Sequence, residues 1–462
     1  MTQPRSTSRR DFLKFAGLGS LAWGAAATPA LGQTHRDSQD NSTQKLAKNV
    51  IFMVADGMNI ATWSLADAYL QRTTGGATHW RKLYYERPVV RALCETHSAS
   101  SLVTDSAAAA SCWGIGHRIV NGVINIMPDG SKPMNLFQKM RLQGHKRTGL
   151  VTTATATHAT PAGFVATVEN RKSQGEIAFQ YLENGVDVIM GGGAEYFGDS
   201  LLSAYQTSGY QVVTKRAELL KADPTRKLLG LFSKRYIPYE VDRLHDPLLK
   251  ANVPTLAEMT QSALDALQDS PSGFMLMVEG GRVDHAAHAN DAPAIIHDML
   301  AFDKTIQTVL NFVDQHPDTL LIITTDHGTG GIQLNGLGDE DFDTTKPAYS
   351  ASTPAFLTLT KMYQSQEVAV ALNKGQPKAK LVEMLVQNSG LNFKAADLAK
   401  ITDLKTFQEV LPAYTGINWT SHAHTADLVE FCALGPGARQ FLPFIRNDEV
   451  HGKILKATGL AV

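Results

Sequence analysis

Five apolar, β-rich runs constrain the fold of this chain. They are Asn49–Ala55, Thr148–Thr153, Val186–Met190, Phe274–Val278 and Leu320–Thr325. Helical patterns lie between them. The clearest covers Ala292–Gln315, where Ile295, Met299, Phe302, Ile306, Val309 and Val313 recur at steps of 4, 3, 4, 3 and 4, the period of one helix face. Strands that alternate with helices predict an α/β fold: a large, mainly parallel β-sheet flanked by helices on both faces. With 462 residues, 43% of them hydrophobic, the chain has ample material for one large core. No internal repeat is visible.

Three of these runs lead into an acid: Asp56, Glu279 and Asp326. In a parallel sheet, ligands bind beyond the carboxyl ends of the strands. Asp is a common turn residue, so one such strand is unremarkable. Three acids converging on one sheet edge repel each other unless cations lie between them. Histidines accompany two of the three. In the segment Glu279–His288, Asp284 and His288 are four residues apart, with His285 between them. Donors at i and i+4 share a helix face and can grip one ion. Asp326 is followed directly by His327, and Ser421–Thr425 adds His422 and His424.

A nucleophile candidate stands apart from the acids. Asp105 and Ser106 precede Ala107–Ala110, a strong helix former. A serine there lies among free N–H groups at the positive end of a helix dipole, where phosphate and an alkoxide are both stabilised. The chain has no G-x-S-x-G elbow, so a serine-hydrolase triad is not indicated. A metal is the remaining activator.

The ends of the chain and its charge bound the setting. Ser8-Arg9-Arg10-Asp11-Phe12-Leu13-Lys14 is a twin-arginine pattern. An apolar stretch from Phe15 to Ala27 and the small-residue site Ala30-Leu31-Gly32 follow it. Residues 1–32 are expected to be an export signal that sends the protein to the periplasm or outside the cell. Residues 33–48 are polar and aperiodic, as in a flexible linker, and 49–462 are expected to form the folded domain. No later run is long enough to span a bilayer, so no membrane anchor is expected. The net charge of −1 and the lack of a long basic run argue against nucleic acid as a specific partner. Cys94, Cys112 and Cys432 form no C-x-x-C pair and are expected to be core residues, with one disulfide left open. Residues 332–420 break the strand–helix alternation and are expected to be an insertion over the site. Glu367–Leu372 and Lys380–Val386 look helical, and Asn392–Leu404 looks like a short helix with its loops.

Read in order, VADGM (54–58), VTDSAAAA (103–110), HATPAGF (158–164), GGGAEYF (191–197), LLGLF (228–232), VEGGRVDHAAH (278–288), TTDHGTGG (324–331) and HT (424–425) resemble the alkaline phosphatase family. The resemblance spans about residues 49–462. It implies hydrolysis of phosphate monoesters with two zinc ions and one magnesium ion. By the same resemblance, Ser106 is the nucleophile that forms a phosphoserine, and Arg171 clamps the phosphate in bidentate fashion. Asp284, His288 and His424 correspond to ligands of one zinc, and Asp56, Asp326 and His327 to ligands of the other. Asp56, Thr160 and Glu279 correspond to the magnesium site, whose all-oxygen donors suit that hard cation. Asp105, His158, His285 and His422 are expected around these groups without being ligands. Some bacterial members carry Asp where this chain has His158 and Lys where it has His285. The His/His pair resembles the animal-type arrangement, which implies looser phosphate binding and faster product release.

Competing readings fit less well. Asp105-Ser106-Ala107-Ala108 is not the C/S-x-P-x-R motif of sulfatases. Diesterases of the superfamily usually have a Thr nucleophile and no magnesium site, and a non-enzymatic binder would lack a catalytic residue. The family includes dimers and monomers, so a homodimer is left open.

Overall fold

The computed structural model describes residues 45–338 and 347–462. The expected export signal, residues 33–44 of the expected linker and residues 339–346 of the expected insertion lie outside these. Ten strands form one sheet. They are β1 (Asn49–Val54), β2 (Val90–Glu95), β3 (Arg147–Thr155), β4 (Val188–Gly192), β5 (Tyr210–Val213), β6 (Lys227–Leu231), β7 (Phe274–Glu279), β8 (Thr319–Thr324), and, after four short strands named below, β13 (Val429–Leu434) and β14 (Phe444–Arg446). Their order is β14-β2-β13-β8-β1-β7-β3-β4-β6-β5. Every neighbouring pair is parallel except those of β13, which runs antiparallel to both β2 and β8. The expected mainly parallel sheet is therefore present, with one reversed strand.

Side-chain alternation along the strands builds two cores. Ile51 and Met53 of β1 face one helical layer, while Val50, Phe52 and Val54 face the other. Every residue of β1, β7 and β8 is buried, which is why these runs read as apolar throughout. The helices that matter below are α1 (Ser106–Ile115), α2 (Ala159–Val165), α3 (Arg282–His288), α4 (Ala292–Gln315) and α5 (Gln366–Leu372). The bounds of α4 are those its periodicity predicts. Buried residues of α4 line the first core and those of α1 and α2 mainly the second.

Four short strands close the loops over the carboxyl edge. Strand β9 (Gly328–Thr329) pairs with β12 (His424–Thr425), and β10 (Gln333–Leu334) pairs with β11 (Ile417–Asn418). The second pair brings together the two ends of the region that interrupts the alternation. Between them lie α5, helices over Lys378–Ser389 and Leu404–Val410, and a four-residue helix at Ala395–Leu398. Ala369, Leu385, Ile401 and Phe407 give this region a small core of its own. The three cysteines are free and buried. Among the described residues, no helix is long and apolar enough to cross a membrane.

Candidate metal centre and nucleophile

Sheet register brings the acids together. Val54 pairs with Glu279 on β7 and with Thr324 on β8, so Asp56, Glu279 and Asp326 leave three adjacent strands at the same edge. The turn after β1 is fixed by Gly57, whose N–H donates to Asp326 Oδ1 at 3.0 Å. Gly57 has φ +70°, and a Cβ there would lie 2.6 Å from Asp284 Oδ1, so only glycine admits α3 this close.

Three overlapping sets of donors result: Asp56, Asp326 and His327; Asp284, His327 and His424; and Asp56, His158 and Glu279. Within each set the ligand atoms lie within 4.8 Å of one another. His288 joins the second set, with Nε2 3.0 Å from His424 Nε2 and 3.4 Å from Asp284 Oδ2. Thr160 joins the third, its hydroxyl 3.5 Å from Asp56 Oδ2.

The proton positions fit metal ligation. His288 Nδ1 donates to the His422 carbonyl at 2.6 Å, and His424 Nδ1 donates to the Thr104 carbonyl at 2.7 Å. Carbonyls only accept, so each neutral ring presents a bare Nε2. Two bare nitrogens 3.0 Å apart repel each other until a cation takes both. His327 is locked in the same way. The Thr329 hydroxyl donates to Asp284 Oδ1 at 2.7 Å and faces His327 Nδ1 at 3.3 Å. His327 Nε2 therefore points at Ser106 Oγ (3.1 Å), Asp326 Oδ2 (3.0 Å) and Asp56 Oδ1 (3.9 Å).

Electrostatics agree with the geometry. Burial, then Asp326, Asp284 and Glu279, push Asp56 well above the usual carboxylate range. Burial raises Glu279 to about 7. Burial opposes charge on Asp326 and His327 as well, yet their mutual attraction lowers the acid and raises the base. Asp56 Oδ1 and Glu279 Oε1 are buried without any hydrogen-bond partner. Orphaned buried carboxylate oxygens carry a large desolvation cost, and a divalent cation removes it. The donor chemistry fits the expected ions: mixed N and O donors in the two histidine sets suit zinc, while Asp56, Glu279 and Thr160 suit magnesium.

Ser106 is the first residue of α1. Asp105 caps that helix through Ala108 N (2.9 Å), and its other oxygen accepts from Gly122 N (2.9 Å) and Arg171 Nη1 (2.9 Å). One carboxylate thus orients both the nucleophile's helix and the arginine. Arg171 Nη2 lies 3.4 Å from His158 Nε2. A guanidinium only donates, so this contact places the imidazole proton on Nδ1. In that tautomer Nδ1 carries its proton 4.0 Å from Asp56 Oδ2, without a hydrogen-bond partner, and offers the third set no lone pair. Burial and Arg171 lower its pKa to about 3, which keeps it neutral. His285 lies beside it, ring centroids 5.4 Å apart, and reaches no cluster. His422 stays outside as well; its Nδ1 donates to the His288 carbonyl at 2.9 Å, which steadies His288.

Sequence reasoning missed the residues that hold the ligands. Thr152 donates to Glu279 Oε2, and Thr329 bridges Asp284 and His327. Asn59 accepts from Thr329 N (3.1 Å) and donates to Thr425 Oγ1 (3.1 Å) and Asp427 Oδ2 (2.8 Å), fastening β9 and β12 to the turn after β1. Thr329 lies inside a motif already singled out, but its letter does not name its partner.

A buried serine facing overlapping sets of metal donors, at the carboxyl edge of an α/β sheet, is the arrangement of a metal-dependent hydrolase. The profile described as alkaline phosphatase matches residues 47–460, and the chain belongs to the alkaline phosphatase family. It is 28% identical to alkaline phosphatase 3 of Bacillus subtilis, covering 97% of both chains. It is 33% identical to streptomycin-6-phosphate phosphatase of Streptomyces griseus, covering 69% of this chain and 81% of the relative. The crystal structure of Thermus thermophilus alkaline phosphatase matches with a TM-score of 0.82 at 32% identity, covering 95% of this chain and 96% of that one.

Proposed function

We propose that this protein is an exported alkaline phosphatase that cleaves phosphate monoesters through a phosphoserine on Ser106. The observation that carries the reading is the 3.1 Å approach of Ser106 Oγ to His327 Nε2, on the one histidine common to two donor sets. Asp284, His288 and His424 would hold one zinc and Asp56, Asp326 and His327 the other, with Asp56, Thr160 and Glu279 around magnesium. Bound there, the ions supply charge that lowers the serine pKa and neutralises the phosphoryl group. Arg171, held by Asp105, offers its guanidinium to two phosphate oxygens. Ser106 Oγ attacks phosphorus, the ester oxygen leaves as the alcohol, and water then cleaves the serine phosphoester to release inorganic phosphate.

The decisive assay offers a monoester and a diester at pH 8–10, with and without chelator. Monoester hydrolysis abolished by chelation supports the reading; diester-only or chelator-insensitive activity overturns it. Acid quenching during turnover should trap labelled phosphate on the wild type and none on Ser106→Ala. His158 and His285 leave the site with fewer fixed charges than an Asp/Lys pair would. His285→Lys should therefore tighten phosphate inhibition and slow turnover, and unchanged values for both would refute that role. Export rests on Arg9 and Arg10: replacing both with Lys should leave the protein in the cytoplasmic fraction. A homodimer is consistent with the family, and sedimentation of the intact protein reads it directly.

A further inference from the structure

Arg282 is a buried cation that the reaction described above does not use. It lies in α3, two residues before Asp284, and is 1% exposed. Its guanidinium stacks 3.6 Å over the Tyr239 ring. Nη1 donates to His285 Nδ1 at 3.0 Å, and Nη2 donates to Glu367 Oε2 at 2.8 Å. Arginine has no acceptor, so His285 Nδ1 must accept, and the neutral imidazole carries its proton on Nε2. The His285 ring packs on Tyr236, centroids 4.3 Å apart, and stands edge-on to His158, whose Nε2 meets the Arg171 guanidinium. Arg282 thus fixes Nε2 as the donor nitrogen of His285, a ring that neighbours His158 and through it Arg171.

Glu367 comes from the region between β10 and β11, outside the sheet. It sits in the first turn of α5, and that turn is docked on the catalytic core. Ser365 N donates to buried Asp242 Oδ1 at 2.8 Å, and Gln366 N donates to buried Asp291 Oδ2 at 2.6 Å. Gln408 Nε2 donates to the Ala289 carbonyl, just past α3, at 2.7 Å. Two backbone donors against two carboxylates leave Glu367 little freedom. Its side chain is half-exposed yet ends on a buried charge.

We propose that Glu367 is a positioning residue for phosphate: it holds Arg282, which keeps His285 as an Nε2–H donor facing the phosphate end of the site. The region read as an insertion thereby completes the site. The proposal rests on the phosphatase reading, and its test separates the two. Glu367→Gln and Glu367→Ala are compared with wild type and with Glu367→Asp, all zinc- and magnesium-loaded. The readouts are 4-nitrophenyl phosphate kinetics, inhibition by inorganic phosphate and zinc content. Expected are a rise of about three- to tenfold in KM and in the phosphate inhibition constant, the range of one lost hydrogen bond. kcat should change less than about twofold on the same scale. Zinc content should be unchanged, and Glu367→Asp should recover part of the loss. Long-range proton–nitrogen correlation on histidine-labelled protein should show His285 protonated at Nε2 in wild type and mixed in Glu367→Ala. Unchanged phosphate inhibition in both variants, lost zinc, or a wild-type Nδ1–H overturns the proposal. A wild type that hydrolyses no monoester refutes the phosphatase reading instead, and the imidazole spectrum still decides the Glu367–Arg282–His285 chain.

Discussion

Thr329 has one hydroxyl and spends it twice, on Asp284 and on the tautomer of His327. Valine fills the same buried volume but does neither. Thr329→Val should keep the fold and weaken zinc retention by about 10- to 100-fold, the usual cost of removing a group that orients ligands. Activity remaining in graded zinc buffers measures this, and wild-type retention would refute it. The clustered donors were legible in sequence because carboxylates and imidazoles in strand-end motifs have few other uses in such numbers. Thr329, Asn59 and Arg282 were not, although each sits in or beside those motifs. Their work is done on partners distant in sequence: Thr329 acts on Asp284, 45 residues away, and Arg282 on Glu367, 85 residues away. A hydroxyl or guanidinium inside a motif has many uses, and only the fold selects one.

Helices α1 and α2 touch almost backbone to backbone. A Cβ on Gly114 would lie 1.9 Å from the Gly163 carbonyl oxygen, and one on Gly163 would lie 2.5 Å from Ala110 Cβ. Gly114→Ala must push the helices apart. It should cost about 1–3 kcal/mol, read as a lower urea midpoint at unchanged slope, and reduce kcat by shifting Ser106. Full stability with full kcat would show that the contact gives way freely. The run Ala107–Ala110 reads in sequence as helix propensity; the structure adds that its small side chains let α2 approach. The N-cap of α4 carries a different liability. Asp291 accepts from Ala294 N (3.2 Å) and Gln366 N (2.6 Å), yet burial raises its pKa from 3.8 to about 7. Between those values the folded chain binds more protons than the unfolded one. The associated stability is fully present below pH 3.8 and lost as pH rises through about 7. Asp291→Asn should flatten the stability curve over that window in parallel denaturant titrations; identical slopes would refute it.

At the scale of the molecule, the metal centre is also part of the fold. Without cations, Asp56 and Glu279 are buried oxygens with nothing to bind. Chelation should lower Tm by on the order of 10 °C, and zinc with magnesium should restore it. Scanning calorimetry reads this, and a Tm indifferent to chelator would mean that the carboxylates are satisfied otherwise. The plan of a sheet between two helical layers and five of the ten sheet strands were legible because those strands are buried almost throughout and rich in apolar and β-branched residues. Strand β2 was not: it alternates, with Arg91 and Leu93 exposed and Ala92 and Cys94 buried. Nor was the reversal of β13, since orientation is settled by which neighbours accept its hydrogen bonds. The order β8-β1-β7 has one more result. Glu279 ends β7, and Asp56 and Asp326 lie two residues past the ends of its neighbours β1 and β8; adjacent strands in a sheet lie about 4.8 Å apart. The spacing at which these three chain segments leave the sheet is thus inherited from the pitch of the peptide ladder, a length no side chain can alter. The sheet acts as a ruler for the candidate metal centre, setting how far apart the segments that carry its charges begin.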